Sequence, residues 1–235
     1  MFDLIAFDAD DTLWHSESLY AGMQERFAQL LACYHPPAYV AQKLHQTEMR
    51  NLEYYGYGIK GFTLSLVETA IELTQGRISG AEILQVIDLA KAALTAEVQL
   101  LDHAQDTLAQ LAEQYPLMLI TKGDLFDQEA KLARSGLESY FQHVEIVSEK
   151  TRRTYAALLS RRQLVPARFL MVGNSLRSDI LPVVELGGRA VHIPYHITWA
   201  HESAVPADED RERYFELQHL GLLPALLERL RHAQA

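Results

Sequence analysis

A chain of 235 residues, 49% of them hydrophobic, can bury a sizeable core without help from disulfides, as one large domain or as a core domain carrying an insert. Its formal net charge of -10, with no basic run longer than the pairs beginning at Arg152 and Arg161, argues against a phosphate-backbone footprint and so against a nucleic-acid partner. The start MFDLIAFDAD fits neither a secretory signal nor a membrane span, and one cysteine, Cys33, permits neither an internal disulfide nor a thiolate metal cluster. These observations point to a cytoplasmic protein with no membrane partner, and to Cys33 as a small buried hydrophobe.

In chain order, Phe2 to Phe7 is a short apolar run closed by acidic residues and reads as a buried strand. From about Leu13 to Leu101 the strand pattern vanishes, and apolar residues recur at helix spacing, as at Ile83, Val86, Ile87 and Ala90. Pro36, Pro37 and the stretch Tyr54-Tyr55-Gly56-Tyr57-Gly58 interrupt this segment, while Ser79 and Glu82 have capping-box spacing, so about four helices are expected. A helix from Asp102 to Tyr115 follows. Four more apolar runs come next, at Leu117 to Thr121, Val144 to Ser148, Phe169 to Gly173 and Ala190 to Pro194, all read as buried strands. Between them lie helical segments at Asp124 to Arg134, Thr151 to Gln163 and Ser175 to Leu186, with Gly136, Gly187 and Gly188 placed as C-terminal caps. The alternation predicts an α/β fold with a doubly wound parallel sheet built from residues 1–13 and 102–235, and an inserted all-helical domain over 14–101. The insert leaves directly after the first strand, which predicts a position over the carboxyl end of the sheet, where open α/β sheets bind ligands. The amphipathic segment Leu217 to Leu230 is expected on the sheet flank.

FDADDTL, from Phe7 to Leu13, ends the first strand with Asp8 and Asp10 two positions apart, so alternation sends both carboxylates to one side. Two such charges about 4 Å apart repel by roughly 4 kcal/mol at an effective dielectric of about 20, and a cation, a proton or a chemical task must justify the pair. Nucleophilic catalysis on phosphorus supplies all three. One carboxylate attacks and becomes an acyl phosphate, while the other protonates the leaving oxygen and later takes a proton from water. Acidic residues at a strand end are also ordinary turn chemistry, so the pair alone leaves both readings open.

The same seven residues resemble the first motif, DxDx(T/V), of the haloacid dehalogenase-like hydrolase superfamily, and three later stretches resemble its other motifs in order. These are Thr121-Lys122-Gly123 at the second strand end, Lys150 before a helix, and MVGNSLRSDI with Gly173, Asn174 and Asp179 after the fourth. The resemblance covers nearly the whole chain and includes a helical insert where the family's first (C1) type of cap domain belongs. It implies a Rossmann-like core, with Asp8 as nucleophile and Asp10 as general acid/base, and Thr12 holding the loop. It further implies that Thr121, Lys122, Gly123 and Lys150 contact the substrate phosphate, and that Asp8, Asp10, Asn174 and Asp179 hold Mg²⁺. Two departures soften the match. Thr151 and Arg152 follow Lys150 where the family often has a Pro, which makes Arg152 or Arg153 an alternative bearer of that charge, and Asn174 replaces an acidic residue, which implies a weaker metal site.

Within the family, dehalogenases expel halide unprotonated and typically lack the second Asp, so Asp10 speaks for phosphoryl transfer. Phosphonate hydrolases also lack that Asp and use a cap Lys, for which Lys43 and Lys60 are the candidates here. Phosphomutases keep both residues and stay open as an alternative, as does a catalytically silent binding protein, favoured by Asn174 alone. The expected activity is Mg²⁺-dependent hydrolysis of a small phosphorylated metabolite. Other features receive plainer readings. His192, His196, Trp199, His201 and Glu202 offer no tight ligand pair on one helix face and are expected in a surface loop edging the site. Tyr54, Tyr55 and Tyr57 are expected to pack between helices, and Arg177 to be an exposed residue at a helix start.

Overall fold

The computed structural model describes residues 2–197, 199–206 and 213–233. β1 (Leu4–Phe7) is buried along its whole length, because it has parallel partners on both edges, β2 (Leu117–Lys122) and β4 (Phe169–Gly173). β3 (His143–Val147) flanks β2, while β5 (Arg189–His192) and β6 (Tyr214–Glu216) continue beyond β4, giving a parallel sheet in the order β3-β2-β1-β4-β5-β6. Winding reverses between β1 and β4, and the carboxyl ends of these two strands form the crevice in which such sheets bind ligands.

Alternation along the strands feeds two cores. Ile5, Phe7, Leu117, Leu119, Leu170 and Val172 face one side, where Leu108 of α5 (Ala104–Ala112) and Leu223, Leu226 and Leu227 of the last helix, Leu223–Ala233, cover them. Leu4, Ala6, Met118, Ile120, Phe169 and Met171 face the other, against Tyr155, Leu158 and Leu159 of α7 (Arg152–Arg161). Helices on both faces are what an all-parallel sheet requires. α6 (Leu125–Ser135) follows β2, and α8 (Leu181–Val184) precedes β5. The final helix is α9, packed on the sheet as the amphipathic pattern predicts.

Chain contacts define two units, Met1–Glu17 with Val98–Lys122 and Ala130–Ala235, and Ser18–Glu97 with Gly123–Glu129. The first contains the sheet. The second is built from α1 (Glu17–Leu30), α2 (Pro37–Tyr55), α3 (Ile59–Thr74) and α4 (Gly80–Thr95), around Phe27, Leu44, Phe62, Leu66 and Val86. Ser79 and Glu82 cap α4 reciprocally, the Ser79 hydroxyl accepting from Glu82 N–H at 3.2 Å and Glu82 accepting from Ser79 N–H at 2.7 Å. Among the described residues no helix is long and apolar enough to cross a membrane.

Several expectations are corrected. Cys33 is exposed, since it lies in the turn after α1, beyond the buried stripe. Tyr54 and Tyr55, expected as packing, are 75% and 51% exposed, because they sit in the last turn of α2 where the stripe Val40, Leu44, Thr47, Asn51 has run out. β3 is an edge strand with Val144 exposed, so it is not fully buried. β6 escapes the sequence pattern because it is only three residues, two half-exposed aromatics and an exposed Glu216. The helix expected over Ser175 to Leu186 is a single π turn, Leu176–Ile180, followed by the short α8 with Pro182 in its first turn.

Candidate active site

Asp8 directly follows β1, and its backbone N–H donates to the Val172 carbonyl at 2.9 Å, which fixes it at the switch point. Its Oδ2 accepts from the Thr12 hydroxyl at 3.0 Å, and that hydroxyl also lies 3.3 Å from Asn174 Oδ1. Its Oδ1 accepts from Lys150 Nζ, which donates as well to Asp179 Oδ1 at 2.7 Å. Thus Asp8, Thr12, Lys150, Asn174 and Asp179 meet in one place, although they lie far apart in the chain. Asp8, Lys150 and Asp179 are all buried.

Local sequence explains each placement. Thr151 caps α7, its hydroxyl accepting from Thr154 N–H at 3.2 Å, and so starts the helix directly after Lys150 without a Pro. The π turn carries the Asp179 carboxylate back under β4, where Oδ2 accepts from Ser175 N–H at 3.0 Å. Position 173 must be Gly, since a Cβ there would overlap the Asp179 carboxylate. Burial, aided by Asp179 and opposed by the Lys150 ammonium, pushes Asp8 up to about 7. Burial would lower Lys150, but Asp179 and Asp8 together raise it. Two buried carboxylates on a single ammonium leave an excess of negative charge. The nearby donors, carboxylate and amide oxygens, are hard, and the set therefore suits a hard divalent cation. Among the described residues no three His, Cys, Asp or Glu side chains form a ready-made cage, so such an ion would rely also on amide, backbone or water oxygens.

Asp10 has a lysine of its own. Its Oδ1 accepts from Trp14 Nε1 at 2.8 Å and from Lys131 Nζ at 3.0 Å. The repulsion expected between the two carboxylates is therefore met by two separate ammonium groups. Asp11 takes a left-handed backbone, φ 60°, and its carboxylate accepts from the backbone N–H groups of Ser16 at 2.8 Å and Glu17 at 3.1 Å. Burial raises Asp11 to about 6 against these bonds, and raises Glu17 to about 7, helped by Asp11, Asp10 and Glu202.

Thr121 is buried at the end of β2, in register with Ile146. Gly123 has φ 142°, a region few side chains tolerate. The Lys122 side chain donates to Ser178 Oγ at 3.0 Å and pairs with Glu202. Glu202, read from the sequence as part of a surface loop, instead has a carboxylate only 14% exposed and accepts from Ser175 Oγ at 2.6 Å and Ser178 Oγ at 2.5 Å. Burial would raise it, but Lys122 and the two hydroxyls outweigh this and hold it at about 2. A carboxyl lowered in the folded state stabilises above its ordinary pKa of 4.5, and that contribution is lost as pH falls toward 2. Glu202→Gln is expected to destabilise by about 1–3 kcal/mol in urea unfolding at neutral pH, with the difference from the natural protein vanishing near pH 2. A difference that is constant with pH would show that Glu202 acts through packing alone.

The other members of the histidine stretch disperse. His192 lies between Glu216 Oε2 and the Asn174 carbonyl, each at 3.1 Å, while the His196 ring lies tilted against Tyr195 and the His201 ring tilted against Trp199. Arg177 is exposed as expected, and donates to the His201 carbonyl at 2.7 Å. Sequence reasoning missed Lys131, Trp14 and Glu202.

A family model for haloacid dehalogenase-like hydrolases matches residues 2–187. Among solved structures, the chain is similar to a haloacid dehalogenase-like family hydrolase from Xanthomonas campestris, at 40% identity and a TM-score of 0.87 over 97% of this chain and 91% of that one. Likeness of fold extends to a 2-haloacid dehalogenase from Pseudomonas syringae, at 22% identity and a TM-score of 0.64 over 98% of this chain and 100% of that one. It extends also to a Bacillus subtilis HAD-hydrolase bound to magnesium, at 18% identity and a TM-score of 0.67 over 97% and 99% of the two chains. A comparison with curated proteins finds no match.

Proposed function

Since the chain belongs to the haloacid dehalogenase-like hydrolases, we propose that within that family it is a phosphatase, hydrolysing a small phosphate monoester through the carboxylate of Asp8. The observation that carries this reading is a second carboxyl, Asp10, held in place by Trp14 and Lys131 two residues from the nucleophile. Halide departs without a proton, so a positioned acid has a use where the leaving atom is oxygen. In the proposed first step an Asp8 oxygen forms a bond to phosphorus, the ester P–O bond breaks, and the proton of Asp10 passes to the departing oxygen. In the second, Asp10 takes a proton from a water molecule as its oxygen attacks phosphorus, releasing phosphate and restoring the Asp8 carboxylate. Lys150 supplies a fixed counter-charge beside the reacting centre, with Thr121 and the backbone N–H groups of Lys122 and Gly123 as donors to phosphoryl oxygens.

The oxygen donors fit Mg²⁺, which Asp8, the Asp10 backbone carbonyl, Asn174 and Asp179 would hold. When bound it supplies positive charge against the phosphoryl group. The partners in this reading are small phosphorylated metabolites of the cytoplasm, with neither nucleic acid nor membrane. The test is a panel of phosphomonoesters and 2-haloacids, assayed for phosphate and for halide with Mg²⁺ and with chelator. Phosphate release that chelator abolishes, without halide release, is the expected result. Halide release from a haloacid with no phosphate from any ester would overturn the reading in favour of a dehalogenase.

A further inference from the structure

Lys131 is a buried ammonium outside the family motifs, with a side chain only 7% exposed on α6. Trp14 is among the largest fully buried side chains of the chain. Both reach the same atom, Asp10 Oδ1, at 3.0 and 2.8 Å. The loop carrying Asp10 is itself fixed, with Asp11 N–H donating to the Trp14 carbonyl at 2.7 Å and Leu13 N–H to the Ala9 carbonyl at 2.8 Å. Two donors on one oxygen fix the rotation of the carboxyl group. We infer that Lys131 and Trp14 are positioning residues that orient Asp10 toward the leaving oxygen.

This inference rests on the phosphatase reading and deepens it. In the first step the Asp8–phosphorus bond forms, the ester bond breaks, and the Asp10 proton moves to the departing alkoxide. The demand for that proton depends on the leaving group. An acidic phenol departs as an anion without help, whereas an alkanol does not.

The test compares kcat/KM, which covers all steps up to leaving-group departure, for 4-nitrophenyl phosphate and an alkyl phosphate. The natural protein, Lys131→Met, Lys131→Arg and Trp14→Phe are measured with Mg²⁺, each variant being checked for a cooperative thermal transition. Lys131→Met is expected to lose about 30-fold or more on the alkyl ester and less than about 3-fold on the nitrophenyl ester. Trp14→Phe should show the same split at smaller amplitude, and Lys131→Arg, which keeps a donor and a charge, should recover most of the alkyl activity. A merely structural role would lower both esters alike. Equal losses on the two esters in Lys131→Met and Trp14→Phe, or no loss in either, would overturn the inference while leaving the phosphatase reading intact. If Lys131→Met fails to fold, the Trp14→Phe split decides alone. Absence of phosphate release by the natural protein would overturn both.

Discussion

Asp8→Asn is expected to lower kcat/KM for the best phosphomonoester by about 10⁴-fold or more, without lowering the melting temperature at pH 8. The first half follows from chemistry, because an amide oxygen of the same shape is a poor nucleophile and, among the described residues, Asp8 alone is the carboxylate bonded to both Thr12 and Lys150. The second half follows from electrostatics. Asp8 is raised from 3.8 to about 7, so the folded state binds its proton more tightly than the unfolded chain does. Above its ordinary pKa the ionised group therefore opposes folding, increasingly up to about pH 7. A neutral amide removes that penalty. Activity measured beside thermal unfolding at pH 8 checks both halves. A variant that is inactive and also melts well below the natural protein would mean that Asp8 serves the fold.

Lys150→Met has the opposite signature, a large loss of both activity and stability. Lys150 joins Asp8 to Asp179, and its removal leaves two buried carboxylates facing each other with no ammonium between them. Breaking a buried pair in this way costs about 3–5 kcal/mol. Acid relieves the repulsion by protonating Asp8, so the deficit should be largest above pH 7 and shrink toward pH 4. Urea unfolding in chelator across this range measures the deficit free of any cation that could replace the ammonium. A pH-independent deficit would assign the loss to packing of the lysine stem.

Much of this site is legible in the sequence, for a physical reason. The catalytic candidates stand at strand ends, and an apolar run such as Leu117 to Ile120 announces a strand whichever helices later cover it. Asp8, Thr121, Lys150 and Asp179 are picked out by the resemblance of their motifs to those of the family, each motif standing at or after the end of such a run. What escapes depends on contacts between distant segments. Lys131 looks like any charged helix residue until α6 is seen to bury it against Asp10. Glu202 sits in a polar, irregular segment whose composition gives no hint of Lys122 or of two serine hydroxyls. Cys33 and the Tyr54-Tyr55 pair mislead for the converse reason, because residue type favours burial where the helix has already turned away from the core. The π turn at Leu176–Ile180 is also invisible in the pattern, as helical periodicity tolerates one wider turn, yet that turn brings the Asp179 carboxylate beneath Gly173.

The proposed mechanism requires that Asp8 become phosphorylated during turnover. The most direct test is a rapid acid quench during turnover of a phosphomonoester with Mg²⁺, followed by mass analysis of the peptide that contains residues 8–14. This peptide is expected to gain the mass of one phosphoryl group, on Asp8, with no adduct in the absence of substrate. Turnover with no such adduct, or an adduct carried elsewhere in the chain, would contradict that mechanism.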